Sequence, residues 1–364
     1  MSLCKRCNQL PDPLAEQGVL YIAPPVSLTF NHLCEAIRGI GIAFSLFAKE
    51  IIAVDIIPGV LEKLGTLLPS VLSRAEMIDS RALLLPRGQN PTIQELLQVQ
   101  PLYRLVSRIQ GDWLIEILKE NRITTFFQPI VHCHEPERIF AYECLLRGKD
   151  RDGGILYPGR IFDVARDADL LFQLDRIARI RAIEEATRHG IPSNLFINFN
   201  PSSVYDPTTC LRTTIEAVHD AGIPPERVVF EVVESEQIND VKHLAKILDH
   251  YRNAGFQVAL DDLGAGYSSL NVLTHLRPDF VKLDLELVRD VDKDAYKGEI
   301  TMKLLELSQR LQVKTIAEGI ERPEEWRWLK SHGADYGQGY LFAKPACPPP
   351  LPPWPEALHC WDAS

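Results

Sequence analysis

The chain has 364 residues, 46 % hydrophobic and 24 % charged, with a formal net charge of −10. That length holds two ordinary domains or one large α/β domain with an extension, and the composition can bury a core. The acidic balance argues against broad binding to nucleic acid or to an anionic membrane, both of which need a basic face.

The first ten residues, MSLCKRCNQL, lack the apolar core of a signal peptide. The most apolar stretch, GIGIAFSLFAKEIIAV, is cut by Lys49 and Glu50 and is too short to span a bilayer. Eight cysteines are scattered apart from Cys4 and Cys7, so a disulfide framework is not expected and a reducing cytoplasm is.

After an N-terminal CxxC segment (1–17), residues 18–90 alternate VLYIAP (strand), LTFNHLCEAIRGIG (helix), IAFSLF and EIIAVDI (strands), GVLEKLGTLLPSVLS (helix) and RALLLP (strand). That order is βαββαβ and predicts a small α+β, ferredoxin-like domain, regulatory or architectural in role. Helical patterns at 92–109 and 112–121 predict a helical linker over 91–123.

From 124 to 345 apolar strands alternate with amphipathic helices: TTFFQPIV, IFAYECLLR, NLFINFN, RVVFEVVE, FQVALDD, DFVKLDL, VKTIAEG and ADYGQGYLF. Eight strands in roughly 220 residues predict an α/β, TIM-like (β/α)₈ barrel. The junction VHCHEPERIF is too short for a crossover helix, so the first strand is expected to be antiparallel. The proline-rich tail, 346–364, is expected to be extended.

In such a barrel the chemistry sits at the carboxyl ends of the strands. Those ends carry Glu143, Asn198, Glu231, the pair Asp261–Asp262, Lys282, Glu318 and Gln338. One buried carboxylate is commonly a satisfied structural group. Five converging ones without cations face desolvation and mutual repulsion, so the acid pair is read as holding metal, Asp261 bridging two ions and Asp262 binding one. An all-oxygen ligand set suits two hard divalent cations, Mg²⁺ or Mn²⁺, and ions about 3.5–4 Å apart are the usual apparatus for phosphodiester hydrolysis. They would also supply the positive charge that an acidic chain lacks for a phosphate substrate. Lys282 among carboxylates stays protonated and suits orienting the water or stabilising developing charge.

ECLLR at 143–147 resembles the E-A-L-L-R signature of EAL-domain cyclic-di-GMP phosphodiesterases. FQPI (127–130), INFNPSS (197–203), FEVVES (230–235), LDDLGAGYSSL (260–270), VKLD (281–284), AEGIE (317–321) and GQGYLFAKP (337–345) resemble family blocks in family order. The resemblance covers about 125–345 and implies a cytoplasmic enzyme cleaving cyclic di-GMP to linear pGpG, homodimeric through this domain. It implies Glu143, Asn198, Glu231, Asp261, Asp262 and Glu318 as ligands of two metals, with Lys282 and Glu318 catalytic. Gln128, Arg147 and Gln338 are implied as substrate contacts, and Glu234, Glu321 and Asp284 as supporting residues. Departures are Cys144 for the signature alanine, Leu263 for a usual phenylalanine and Ala265 for a frequent threonine.

Two rivals remain. A non-catalytic cyclic-di-GMP receptor usually lacks a ligand or the signature, and this chain lacks neither. A Mg²⁺-dependent carbon-acid enzyme explains the acids and Lys282 but not the ordered blocks. Among weaker features, GAG at 264–266 reads as a turn rather than a phosphate loop, and HCH at 132–134 as an exposed loop. Cys4 and Cys7 with His32 and Cys34 read as a reduced terminus rather than a zinc site, and WPEALHCW as a loosely held tail. Any ligand or partner of the N-terminal domain is not readable from the residues.

Overall fold

The computed structural model describes residues 9–89, 91–233, 241–264 and 269–352, with backbone only at 233, 241 and 269–271. The chain divides into two compact units: one comprises 9–122 with 159–174, the other 123–158 with 175–352.

In the first unit, β1 (Gly18–Ala23), β2 (Phe44–Ala48), β3 (Ile51–Ile56), β4 (Arg81–Pro86) and β5 (Gln100–Pro101) form an antiparallel sheet in the order β2-β3-β1-β4-β5. Alternation along the strands turns Leu20 and Ile22, Ile52, Val54 and Ile56, and Ala82 and Leu84 into one core. The helices Ser27–Gly39 and Val60–Val71 meet it with Leu33 and Ile37 and with Leu61, Leu64 and Leu68, spaced three or four apart. Pro69 cannot donate to the Gly65 carbonyl, and the Gln110 side-chain amide donates to it instead at 2.9 Å. This unit is α+β, as the order of elements predicts.

The helical pattern at 92–109 is broken in the structure. Thr92 and Glu95 make a capping box for a single turn, Ile93–Leu96, and the chain then extends into β5 against β4. Pro101 has no N–H to continue a helix and begins the next one, Leu102–Gln110.

In the second unit, β6 (Ile123–His132), β7 (Ile139–Lys149), β9 (Asn194–Asn198), β10 (Val228–Val233), β11 (Gln257–Leu263), β12 (Phe280–Leu283), β13 (Lys314–Ala317) and β14 (Tyr336–Gln338) close an eight-stranded barrel; β8 (Ile155–Leu156) is a flap on β7. β6 is antiparallel to both β7 and β14, whereas the other neighbours around the barrel run parallel; the flap β8 is antiparallel to β7. Crossover helices include Leu171–Arg188, Val241–Asn253 and Ala295–Arg310.

An apolar layer plugs the barrel below its mouth: Ile130, Ala141, Phe196, Val229, Ala259, Phe280 and Ile316, with Tyr336 packed against them. A buried phenylalanine contributes roughly 1.5–3 kcal/mol. A strand repeats its facing every second residue, so the next inward position along each parallel strand is Glu143, Asn198, Glu231, Asp261, Lys282, Glu318 or Gln338. On antiparallel β6 the same step runs backwards, from Ile130 to Gln128, which lies opposite Glu143 in the ladder. The plug and the mouth are one alternation read twice.

The HCH stretch is not an exposed loop. His132 ends β6 with its ring edge-on to Phe140 and Tyr336, and Cys133 is fully buried with its N–H on the Asp335 carbonyl at 3.0 Å. Only His134 of the three is exposed. Among the described residues no helix is long and apolar enough to cross a membrane.

Gly339 has no room for a side chain. A Cβ there would lie 2.1 Å from the Ile320 carbonyl oxygen and 2.3 Å from its nitrogen. Gly339→Ala is expected to cost at least ~2 kcal/mol by forcing backbone apart. Gly159→Ala, which meets nothing within 4 Å, should be neutral or slightly stabilising. Urea denaturation of the two variants checks the contrast.

Candidate active site

Lys282 is the hub of the barrel mouth. Its Nζ lies 2.6 Å from Glu318 Oε1, 3.0 Å from Glu231 Oε1, 3.3 Å from Asp261 Oδ1 and 3.6 Å from Glu143 Oε2, with the side chain 1 % exposed. Burial works against the ammonium, but the carboxylates of Asp261, Glu143, Glu231 and Glu318 outweigh it and hold its pKa well above the ordinary lysine value.

The acids around it are not equivalent. Glu143 is buried, yet Lys282 and hydrogen bonds from Gln338 Nε2 at 2.6 Å and Asn198 Nδ2 at 3.0 Å bring its pKa below the usual range. Gln338 Nε2 also donates to Gln128 Oε1 at 3.1 Å, and Gln128 donates on to the Ala343 carbonyl at 3.2 Å. Glu231, 0 % exposed, accepts no hydrogen bond of good geometry on either oxygen, although Lys282 is within ion-pair range. Desolvation pushes Glu231 well up, and Asp261 up as well. Desolvation also raises Glu318 to about 8 and, with Asp261 and Asp284 nearby, Asp262 to about 6.

Successive strand residues point to opposite faces, so Asp261 and Asp262 should not share a site. A bulge resolves this. The β11–β12 register slips between Leu260 and Leu263, and Asp262 adopts a left-handed φ of 58° while its N–H donates to Asp261 Oδ1 at 3.0 Å. As a result carboxylate oxygens of Asp261, Asp262 and Glu318 lie within 4.8 Å of one another. One ammonium cannot neutralise five carboxylates at a buried mouth, so in the absence of cations some of the acids are driven to keep their protons, and the carboxylate donors are all oxygen. The site fits hard divalent cations.

Arg147 is 7 % exposed, with its guanidinium 5.3 Å from the ring centres of both Phe126 and Tyr157. One terminal nitrogen donates to the Leu146 carbonyl at 2.7 Å, while Nε is buried with no hydrogen-bond partner. Asp284 caps the helix Leu285–Val288 through Glu286 N–H at 2.8 Å and acts on Asp262 only through space. Glu321 is not brought to the cluster; its half-exposed carboxylate lies 3.9 Å from Arg289. Glu234, Ala265 and the Cys4–Cys7 pair lie outside the described residues.

Two buried acids that the residue pattern did not single out hold the loops in place. Asp175 accepts from Asn200 N–H at 2.8 Å and Ser203 Oγ at 2.6 Å and pairs with Arg179, which fixes the turn after Asn198. Glu325 accepts the N–H groups of Glu321 and Arg322, both at 3.1 Å, and of Asp290 at 3.0 Å, tying the loops after β12 and β13 together. Its sequence cue is a helix start, Arg322-Pro323-x-Glu325, where an acid at the third helical position reaches back.

Residues 112–345 match the family described as EAL domain. This chain belongs to the EAL domain family. It is 31 % identical over 255 residues to the probable cyclic di-GMP phosphodiesterase PdeB of Escherichia coli, which covers 68 % of this chain and 48 % of that protein. The chain spans about half the length of the first curated relatives it matches. Among solved EAL structures, a standalone versatile EAL protein of Vibrio cholerae in its c-di-GMP-bound form is 38 % identical with a TM-score of 0.56, covering 62 % of this chain and 92 % of that one. The manganese and cyclic-di-GMP complex of Klebsiella pneumoniae BlrP1 is 25 % identical with a TM-score of 0.56, covering 91 % of this chain and 96 % of that one. That likeness extends well beyond the EAL domain residues.

Without metal, the EAL domain mouth should make stability fall as pH rises. Asp262 and Glu318 have folded pKa values above the ordinary 3.8 and 4.5, so the stability they contribute is complete below those values. It is lost as pH climbs through about 6 and about 8. Urea midpoints in chelator should therefore decline from about pH 4 to about pH 8, and Asp262→Asn should flatten the part of the slope below about pH 6.

Proposed function

We propose that the chain hydrolyses one phosphodiester bond of cyclic di-GMP, giving linear pGpG, with two divalent cations of the Mg²⁺ or Mn²⁺ class at the barrel mouth. The observation that carries this reading is Glu231: a fully buried carboxylate whose oxygens lack hydrogen bonds, beside an acid trio, in a cluster where Lys282 offsets only part of the charge. The named activities and bound ligands of the relatives and of the Klebsiella complex support it.

Glu143, Asn198, Glu231, Asp261, Asp262 and Glu318 would hold the ions. When bound, such ions polarise a phosphoryl oxygen and lower the pKa of water. Lys282, with its proton held by its neighbours, donates hydrogen bonds to the attacking water and to developing negative charge; it is the wrong protonation state for a base. Arg147, fixed by aromatic rings with an unpartnered Nε, suits one phosphate of the substrate. Gln128 and Gln338, linked to each other, set the position of the neighbouring phosphate or sugar.

Purified full-length protein given cyclic di-GMP with Mg²⁺ or Mn²⁺ should yield pGpG by chromatography. Lys282→Ala should lose roughly 10²–10³-fold in kcat, and Asp261→Asn should lose at least as much. Intact substrate under both metals, with binding demonstrated, would leave a receptor instead. Metal affinity should also rise from pH 6 to pH 8, because protons on Asp262 and Glu318 must leave before a cation enters. Calorimetry in buffers of different ionisation enthalpy reads that proton release directly.

A further inference from the structure

A second group of ligand-type side chains lies where the C-terminal segment crosses the barrel wall. That segment is held as a strap: Phe127 N–H donates to the Ala346 carbonyl at 2.8 Å, Ala346 N–H returns the bond at 3.1 Å, and Tyr142 Oη donates to the Pro350 carbonyl at 2.8 Å. The next residue after Ala346 is Cys347, and it faces the end of the helix Leu171–Arg188. Glu185 and His189 are four residues apart there, and His189 N–H still donates to the Glu185 carbonyl at 3.0 Å, so both side chains share one face.

His189 Nε2 lies 3.6 Å from Cys347 Sγ and 3.9 Å from Glu185 Oε2, and the three ligand atoms fall within 4.8 Å of one another. An ion with bonds of about 2.3 Å to sulfur and 2.0–2.1 Å to nitrogen at the tetrahedral angle separates those two atoms by ~3.6 Å. The Glu185 carboxylate must then close on the ion from its 3.9 Å distance to the imidazole. The other Glu185 oxygen is engaged by Arg188 at 3.2 Å and Arg181 at 4.0 Å, which leaves Oε2 turned to the imidazole. The imidazole is steadied edge-on against Phe127, with ring centres 6.0 Å apart.

We propose that Glu185, His189 and Cys347 bind a borderline-soft divalent transition ion, Zn²⁺ by class, which staples the C-terminal strap to the helix Leu171–Arg188. A sulfur, nitrogen and oxygen set discriminates against Mg²⁺, so this site and the all-oxygen mouth select different ions. On binding, the Cys347 thiol gives its proton to buffer and the thiolate takes one coordination position. The fourth is left to water, reachable because the His189 side chain is 24 % exposed. Because Ala346 pairs with Phe127, the residue before Gln128, loading fixes the strap beside that strand.

Full-length protein in excess Mg²⁺ is titrated with Co²⁺ as a spectroscopic substitute for Zn²⁺. A thiolate-to-cobalt charge-transfer band is expected to saturate at one ion per chain and to disappear when Zn²⁺ is added. It should be lost in Cys347→Ser, retained in the Cys4→Ser/Cys7→Ser double variant, and shifted to at least tenfold weaker binding in His189→Ala. No band in the wild-type protein overturns the proposal, as does a band unchanged by Cys347→Ser or abolished by the double variant. The first outcome would reduce the cluster to a thiol–imidazole contact, and the others would move the ion elsewhere.

Discussion

A single buried ammonium among carboxylates governs the mouth of this barrel. In a low-dielectric site an unpaired charge is expensive to bury, and a charge paired with too many opposite partners is nearly as awkward. Lys282 has ion-pair contacts to four acids and one positive charge to divide among them. What separates the acids is the supply of other donors. Asn198 and Gln338 both give their amide hydrogens to Glu143, so Glu143 keeps its charge easily. Glu231 accepts no such bond, and Asp261, Asp262 and Glu318 crowd together beside it. The mouth is therefore polarised into a settled side and an unsettled side. A divalent cation placed there would relieve the unsettled side most, because that side is costly for the same reason.

That arrangement needs a rigid floor, and the apolar layer provides one. Phe196, Phe280 and Phe140 meet at centroid distances of 5.3 to 6.2 Å, and Phe140 stacks on Tyr336 at 3.8 Å. Phe196, Phe280 and Tyr336 each sit two positions before Asn198, Lys282 and Gln338 on the same strand. A change in the floor would shift the mouth by the same amount, because no joint separates the two along a strand. The antiparallel β6 joins the scheme only because its alternation runs in reverse, which puts Gln128 opposite Glu143.

Much of this was readable from residues because period-two patterning is local. Strand positions, the inward facing of Glu143, Asn198, Glu231, Lys282 and Gln338, and the reversal of the first strand all follow from short stretches and one short junction. What escaped depends on partners distant in sequence. The bulge that turns Asp262 inward is a slip against β12, and nothing in the LDDLG stretch announces it. Cys133 looked exposed in a polar loop, but its N–H completes a pairing with Asp335, some two hundred residues on. The break at 97–101 shows the opposite failure: helical periodicity was present locally, and Pro101 together with the free edge of β4 overrode it. Asp175 carries no motif, and the helix-start cue of Glu325 does not reveal that it also takes the Asp290 N–H, because only the folded loops define where those groups lie.

The loop after β13 shows how positioning and chemistry are joined. Glu318 continues the parallel ladder through its N–H on the Leu283 carbonyl at 3.1 Å, and Ile320 two residues later donates to the Gln338 carbonyl at 3.0 Å. Leu341 N–H then returns to the Ile320 carbonyl at 3.0 Å, across the point where Gly339 permits backbone contact. Gly319, at a φ of 67° and pressed on Leu285, lets the chain turn between the two bonds. From beneath, Glu325 draws the same loop toward Asp290. Glu318 and Gln338 stand on opposite sides of this tie, so an acid that closes the cluster and an amide that settles Glu143 are set by one piece of backbone. A side chain at Gly339 would therefore disturb both sides of the mouth at once, so this position constrains the site through backbone packing and not through any chemistry of its own.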